Sequence, residues 1–178
     1  MERERLLDLI ELRGYEKVLD VGCGRGLLLT AAARRLTTGQ AIGVDIWNAA
    51  DQSGNSPQAT WANARAEGVA GRIQLVTGDV RRLPFRDGEF DAVVSSLVLH
   101  NLGGAEERRR ALGQIMRALK PGGRFAILDF LHVKGYAKVL RQLGALDVHV
   151  TGLHFLMFPP VRVVVGRKPP QARTRRLP

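Results

Sequence analysis

A glycine-rich turn follows a short apolar segment that has the composition of a buried strand. The sequence from Val18 to Gly26 reads Val-Leu-Asp-Val-Gly-Cys-Gly-Arg-Gly, with Asp20 two residues before Gly22. Glycines let the backbone adopt positive φ and approach a ligand, and the first N–H groups of the helix that follows lack intrahelical partners. Strand, glycine turn and helix are typical of nucleotide-like ligand sites in parallel α/β proteins. The spacing G-x-G-x-G differs from the dinucleotide pattern G-x-G-x-x-G, so the turn alone leaves the ligand open.

Polar residues also end the next three predicted strands. Asp45, Asp79 and Ser95 each stand where an apolar run stops. Because parallel strands end at the same edge of a sheet, we expect these residues to line one crevice with the glycine turn. A single aspartate after a strand is often only a turn or capping residue. The prediction of a ligand site therefore depends on finding polar residues at the ends of several strands together.

Two histidines follow later strands and are candidates for acid–base chemistry. His100 comes just after the fourth strand, where it could act as a general base or make a structural hydrogen bond at a helix start. His132 follows the fifth strand and is a substrate-side candidate. In the polar loop 48–56, Gln52 and Asn55 are further candidates for closing over a ligand, with a solvated loop as the equal alternative. The four histidines and Cys23 show no metal-ligand spacing, so no metal is expected.

The elements that must position these residues alternate between strand and helix. Apolar runs predict strands over 17–21, 41–45, 73–77, 90–95, 124–129, 147–157 and 161–165. Helical periodicity and breakers predict helices over 2–13, 27–36, 57–67, 105–119 and 136–143, the third with Ser56 as N-cap and Pro57 at its first position. Residues 80–89 have no helical period and are expected to cross the sheet in extended form. Pro159 and Pro160 predict a tight turn that makes the last strand pair antiparallel.

Five stretches in order give this pattern a family likeness. They are 18–26, Ile42–Ile46, 78–85, Phe90–Val94 and Leu119–Arg124, within about residues 15–130. The chain resembles the class I S-adenosylmethionine-dependent methyltransferases, and is similar to their small-molecule branch of quinone and sterol methylating enzymes. The resemblance implies an α/β fold with a doubly wound, mostly parallel seven-stranded sheet. Its strand order would be 3-2-1-4-5-7-6, with strand 7 antiparallel and helices on both faces.

The resemblance also implies roles for the residues of the crevice. Gly22 and Gly24 would pack against the methionine part of the cofactor, Asp20 would lie near its ammonium, and the backbone of Ser95 near its amine. Asp45 would accept from the ribose hydroxyls. Around the adenine the implied residues are Ile46, Trp47, Asp79 and Val80. Cys23 is counted with the cofactor residues, although its place inside the turn predicts packing rather than reactivity.

Composition limits the organisation of the chain and its partners. A length of 178 residues predicts one domain, 1–166, followed by a basic Pro/Arg-rich tail, 167–178, that we expect to be flexible. One cysteine excludes an intrachain disulfide. The lack of a secretory start or a membrane-length apolar run favours a cytoplasmic protein. The formal charge of +10 and pI of about 10.9 would suit RNA or a membrane surface, but an arginine-biased surface is the favoured explanation, so a nucleic-acid partner is possible but not favoured.

We therefore expect methyl transfer from S-adenosylmethionine to a small or lipid-like acceptor by in-line displacement. An RNA-directed methyltransferase or a non-catalytic cofactor-binding module is the first alternative, and a nicotinamide-dependent oxidoreductase the second. No long insertion builds a substrate lid. The pocket is therefore expected to be open, to be completed by a second copy in a homodimer, or to be completed by residues that precede Met1 in a longer protein.

Overall fold

A computed structural model of the chain describes residues 2–48, 53–156 and 158–171. Its helices are α1 (Glu2–Asp8), α2 (Leu27–Arg35), α3 (Pro57–Ala66), α4 (Ala105–Ala118) and α5 (Val133–Gln142). Its strands are β1 (Lys17–Val21), β2 (Gln40–Asp45), β3 (Ile73–Thr77), β4 (Phe90–Ser96), β5 (Leu119–Asp129), β6 (Leu146–Val150) and β7 (Arg162–Arg167). Short 3-10 turns cover Ala70–Arg72 and Leu99–Asn101.

The seven strands form one sheet in the order β3-β2-β1-β4-β5-β7-β6. The pairs among β1 to β5 are parallel, and β7 runs antiparallel to both β5 and β6. This confirms the expected fold class and strand order. The carboxyl ends of β1, β2, β3, β4 and β5 share one edge of the sheet, which we call the carboxyl edge. Since Arg162 pairs with Asp129, the segment entering β7 also lies at that edge.

Helices cover both faces of the sheet, and each face has its own apolar core. Val18 packs on one side with α1, α2 and α3, whereas its neighbour Leu19 packs on the other side with α4 and α5. This alternation follows from the two-residue period of a strand, and burial on both faces explains why the strands are almost wholly apolar. The polar residues at the carboxyl edge are therefore exceptions to an apolar pattern, which is why the sequence reveals them.

The end of the sheet differs from the prediction. Strand β6 stops at Val150 rather than at residue 157, and the tight turn expected at the prolines is an eleven-residue connection, 151–161. Thr151 explains the early end, since its hydroxyl accepts the N–H of Val163 at 3.0 Å. Beyond it, backbone pairing between the two sides resumes in an isolated bridge between His154 and Val161.

Three further boundaries were predicted wrongly. Helix α1 ends at Asp8 and not near residue 13, because Glu11 takes a positive φ of 47°. Strand β5 starts at Leu119, five residues early, because Leu119 pairs with Phe90 before a bulge. Helix α5 begins at Val133, three residues before the expected start. The Ser56 cap is confirmed, with the Ala59 N–H donating to its hydroxyl at 3.2 Å, and so is the non-helical segment 80–89.

Candidate active site

The glycine turn is held against the end of β2. The N–H groups of Gly22 and Cys23 donate to the carbonyl of Val44 at 2.8 and 3.2 Å. Gly22 and Gly24 have φ values of 71° and 50°, which side-chain-bearing residues rarely adopt. A Cβ atom on Gly22 would also overlap the side chain of Val98. The turn therefore needs glycine both for its backbone and for the close approach of the segment after β4.

Asp45 is the centre of the hydrogen bonds in this crevice. Its Oδ2 accepts the N–H of Gly24 at 2.8 Å, while its Oδ1 accepts the N–H of Trp47 at 2.7 Å and the Asn55 side-chain amide at 3.2 Å. The residue is 9% exposed. Three donors hold one carboxylate in place, so Asp45 fixes the glycine turn to the end of β2. Asn55, predicted as a substrate residue, lies on the same carboxylate.

Asp20 lies beneath the turn as a buried carboxyl group. It is 2% exposed, and its Oδ2 has no hydrogen-bond partner among the described residues. Burial, followed by repulsion from Asp45, raises its pKa to about 8, against a weaker opposing contribution from the backbone N–H of Leu29 in the first turn of α2. A buried oxygen without a partner is costly unless a ligand group meets it. The carboxyl end of β1 thus carries an acceptor that the described part of the protein leaves unused.

The residues expected around an adenine lie at the ends of β2 and β3. Ile46 is about half exposed, and the indole N–H of Trp47 donates to the Thr77 hydroxyl at 2.9 Å. The carboxylate of Asp79 accepts from the guanidinium of Arg81, whose Nε lies 3.0 Å from both oxygens. This hydrogen bonding lowers the pKa of Asp79. Val80 follows Asp79 and packs partly against the core. Arg81 is a neighbour of the site that the sequence reasoning missed.

Two of the expected cofactor residues are more deeply buried. The hydroxyl of Ser95 donates to the carbonyl of Val21 at 2.9 Å and ties β4 to β1. Cys23 is 6% exposed, and burial raises the pKa of its thiol well above the usual range, with Asp20 and Asp45 adding to the effect. The expectation that Cys23 packs rather than reacts agrees with this environment.

A buried acidic group supports His100. The Nδ1 of His100 lies 2.8 Å from Oδ1 of Asp129, out of line for a hydrogen bond, while the backbone N–H of His100 donates to Oδ2 at 3.1 Å. Asp129 is fully buried at the end of β5 and also accepts from the Phe130 N–H and the Tyr136 hydroxyl. The His100 ring packs on Phe130 with centroids 4.4 Å apart. With Nδ1 facing the carboxylate, Nε2 is directed away from it.

Asp129 and Tyr136 were not predicted as site residues. Asp129 ends a strand as Asp45 does, so the same rule would have selected it. Tyr136 carries no such signal, because its hydroxyl meets Asp129 only after α5 packs on the sheet. Burial and then the Asp129 carboxylate raise the pKa of this phenol above its ordinary value.

The remaining candidates are placed unevenly. His132 occupies the N-cap position of α5 at the carboxyl edge with a φ of 61°, makes no side-chain capping hydrogen bond and is exposed. Gln52 falls outside the described residues. A groove lined by residues such as Lys17, Gln74 and Phe85 holds none of the candidate residues, since it lies toward the amino ends of β1 and β3. Across the described ranges, no three His, Cys, Asp or Glu side chains gather as a metal site.

Comparison with known proteins gives a consistent relationship. The model of the methyltransferase domain family matches residues 19–127. The ubiquinone/menaquinone biosynthesis C-methyltransferase of Pseudomonas putida (strain GB-1) is 34% identical over 125 residues, covering 70% of this chain and 45% of that protein. The demethylmenaquinone methyltransferase of Thermus thermophilus is 30% identical over 128 residues, covering 72% of this chain and 53% of that protein. The chain thus spans about half the length of these curated relatives.

Solved structures agree on the fold. A SAM-dependent methyltransferase from Aquifex aeolicus superposes with a TM-score of 0.71 at 17% identity, covering 93% of this chain and 88% of that one. The family match takes in more than half of the chain, from β1 to β5, and includes the glycine turn, Asp45, Asp79 and His100. The chain therefore belongs to the methyltransferase domain family of class I S-adenosylmethionine-dependent methyltransferases.

Proposed function

We propose that this protein transfers a methyl group from S-adenosylmethionine to a small, quinone-like aromatic acceptor. The observation that carries the proposal is the convergence at the carboxyl edge of the glycine turn, Asp20 and Asp45 beside the His100–Asp129 pair. The names of the similar Pseudomonas and Thermus enzymes support a quinone-like acceptor. The G-x-G-x-G spacing and the family match favour this activity over a nicotinamide-dependent oxidoreductase.

The residues present fit the donor. An ammonium group, such as the one at the methionine end of S-adenosylmethionine, suits the unpartnered and buried Oδ2 of Asp20. Oδ1 of Asp45 already accepts two donors, but Oδ2 accepts one and keeps a free lone pair, so a ribose hydroxyl would suit this carboxylate. The donor supplies a methyl group already activated on a positively charged sulfur. The protein's own task is then to hold the acceptor in line with that methyl group.

His100 is the candidate general base for the acceptor. A hydroquinone is a poor nucleophile until its hydroxyl loses a proton, and Nε2 of His100 is the nitrogen left to take it. Asp129 acts through His100 as a positioning residue, since it accepts the His100 backbone N–H and faces Nδ1. The Tyr136 hydroxyl donates at 3.2 Å to Oδ2, the oxygen that also accepts the His100 N–H, and helps to keep the carboxylate oriented. The proton on Nε2 would return to solvent after methyl transfer.

Incubation with the donor and a short-chain demethylated quinol tests the proposal. We expect formation of S-adenosylhomocysteine together with a quinol heavier by one methylene unit, both read by mass spectrometry. Thermal unfolding in the presence of S-adenosylmethionine or NADH separates the cofactors. A ligand at a hundred times its Kd stabilises a protein by about 2.7 kcal/mol, so only the true cofactor should raise Tm clearly. Stabilisation by NADH alone would contradict the proposal.

A further inference from the structure

The connection between β6 and β7 exposes an unusual amount of apolar surface. Phe158 is 97% exposed, Phe155 75%, Leu156 68% and Leu153 45%. These four residues fall within six positions, and the sequence from 148 to 161 contains no Asp, Glu, Lys or Arg. Single exposed apolar residues are ordinary, but a contiguous cluster of large ones indicates a surface that meets another apolar phase.

The base of this connection is firmly attached to the protein. His154 and Val161 exchange backbone hydrogen bonds of 2.8 and 3.0 Å. The Nδ1 of His154 also lies 2.9 Å from Oε2 of Glu2, which joins the connection to α1. The described residues that follow His154, Phe155, Leu156 and Phe158–Pro160, therefore extend beyond an anchored base. We call these five residues the apolar tip.

The apolar tip lies on the same side of the molecule as the candidate active site. Val161 leads directly into β7, whose first residue Arg162 pairs with Asp129 at the carboxyl edge. Leu131, two residues past Asp129, is 46% exposed at the same edge. A surface that contacts the apolar tip would thus face the edge that carries His100 and the glycine turn.

Positive charge accompanies the apolar tip. Residues 130–178 contain nine Lys and Arg against one acidic residue, Asp147, and so hold eight of the ten net positive charges of the chain. Lys134 and Lys138 are exposed on α5, which begins at the carboxyl edge and packs against β6 and β7. An exposed apolar cluster in a strongly basic part of the chain complements a bilayer with anionic headgroups.

We propose that the apolar tip inserts into the interfacial region of an anionic membrane and docks the carboxyl edge against it. A second copy fits less well. Three large side chains of about 150–250 Å² each supply less than the roughly 800 Å² per partner of a standard interface. RNA also fits less well. Sites for single-stranded RNA interleave aromatic residues with cations, and the apolar tip contains no Lys or Arg. The proposal does not depend on the identity of the methyl acceptor.

Co-sedimentation of the full chain with lipid vesicles tests this docking. We expect binding to vesicles that mix phosphatidylglycerol with phosphatidylcholine, and much weaker binding to phosphatidylcholine alone. The double substitution Phe155→Ser and Phe158→Ser, which we call the loop variant, should weaken binding by about tenfold or more, given the transfer free energy of two aromatic side chains. The matched control is Leu9→Ser with Tyr15→Ser, two exposed apolar residues away from the carboxyl edge, which should leave binding unchanged.

A second measurement places the contact. In a Phe155→Trp variant, tryptophan emission should shift to shorter wavelength when anionic vesicles are added. Absence of vesicle binding, or an equal loss in the control pair, would overturn the proposal. So would retention of full vesicle binding by the loop variant. If the protein instead forms concentration-dependent dimers that the loop variant does not form, and does not bind vesicles, the tip contacts a second copy. If it binds RNA and the loop variant does not, again without vesicle binding, the tip contacts RNA.

The assays need neither donor nor acceptor, so their failure is distinct from failure of the methyltransferase proposal. The loop variant should keep its affinity for S-adenosylmethionine in isothermal titration, which also confirms that it folds.

Discussion

At the scale of single residues, Asp20 makes the stability of the folded protein depend on pH. An acid whose folded pKa is raised keeps its proton in the native state after the unfolded chain has lost it. The native state is then penalised as pH rises from about 4, the usual aspartate pKa, to about 8, the folded value. Stability should fall across this window by roughly 1.4 kcal/mol per pH unit at most from this group.

The substitution Asp20→Asn should remove that dependence. The amide has nearly the same shape but cannot ionise, so the variant should gain stability relative to the parent between pH 5 and 8. Urea unfolding at several pH values measures the difference. Glu106→Gln, at an exposed acid on α4, is the matched control and should run parallel to the parent. Parallel curves for Asp20→Asn as well would mean that the buried carboxyl does not hold its proton.

His100 and Asp129 give a second test at this scale. His100→Gln should lower kcat by about 10²–10⁴, the usual contribution of a general base, while the affinity for S-adenosylmethionine stays the same. Asp129→Asn should lower kcat with little change in KM, because it disturbs the ring of His100 and not the cofactor crevice. Tyr136→Phe removes only one donor to Asp129 and should have the smallest effect. A loss confined to KM in the first two variants would refute the assigned roles.

How far the sequence predicted the site depends on where each group finds its partner. Asp45 and Asp79 were predictable because they stand at apolar strand ends, and the sheet brings such ends together. The hydrogen bonds of Arg81 to Asp79 and of Tyr136 to Asp129 were not predictable. These arrangements depend on side-chain rotamers and on the packing of α5, which leave no period or motif in the chain.

At the scale of elements, Asp45 joins a turn, a strand and a loop. Asp45→Asn keeps an acceptor for the Trp47 N–H but loses full charge toward Gly24 and toward ribose hydroxyls. Hydrogen bonds to charged groups contribute about 1.5–3 kcal/mol, so donor affinity should fall by about tenfold to a hundredfold. Isothermal titration measures the change. Asn55→Ala removes one neighbour and leaves the carboxylate, so equal losses in both variants would contradict the central role of Asp45.

The clamp between α1 and the β6–β7 connection is a second element-scale device. Glu2 is 7% exposed, and its Oε2 meets His154 although 152 positions separate them in the chain. His154→Ala should destabilise the protein by about 1–3 kcal/mol, because it leaves a mostly buried carboxylate without this partner. Urea unfolding measures that loss, and hydrogen exchange should increase over residues 151–161. His149→Ala, at an exposed histidine on β6, is the control and should change neither.

This clamp also shows why some elements could not be predicted. The apolar run after residue 147 has strand composition, yet β6 stops at Val150. The Val163 N–H is accepted by the Thr151 hydroxyl, and the His154 side chain contacts Glu2 of α1. Strands β1 and β3 were predicted to the residue, since their apolar runs end at glycines and aspartates that also end the structure. Glycine and aspartate residues next to an apolar run were therefore enough to predict the ends of β1 and β3. The end of β6 depends on tertiary hydrogen bonds.

At the scale of the whole molecule, the net charge of +10 is unevenly distributed, with most of it in residues 130–178. Like charges on one part of a surface repel, and added salt screens exposed charges farther apart than about 8 Å at 0.15 M ionic strength. The screening of surface ion pairs by salt costs little stability, because each pair contributes only about 0–1 kcal/mol. The chain should therefore become more stable, not less, when salt is added to a dilute buffer.

Thermal unfolding at low and at physiological ionic strength tests this balance. For a chain of this size, each kcal/mol of stabilisation moves Tm by about 2–4 °C, so a rise of a few degrees is the expected result. The pair Lys134→Gln and Lys138→Gln removes two exposed cations from residues 130–178, which we call the basic region, and should reduce the rise. The matched pair Glu106→Gln and Asp87→Asn removes two exposed acids from the same molecule and should enlarge it. A Tm that falls with salt would show that the ion pairs outweigh the repulsion, and that the basic region does not act as one charged surface.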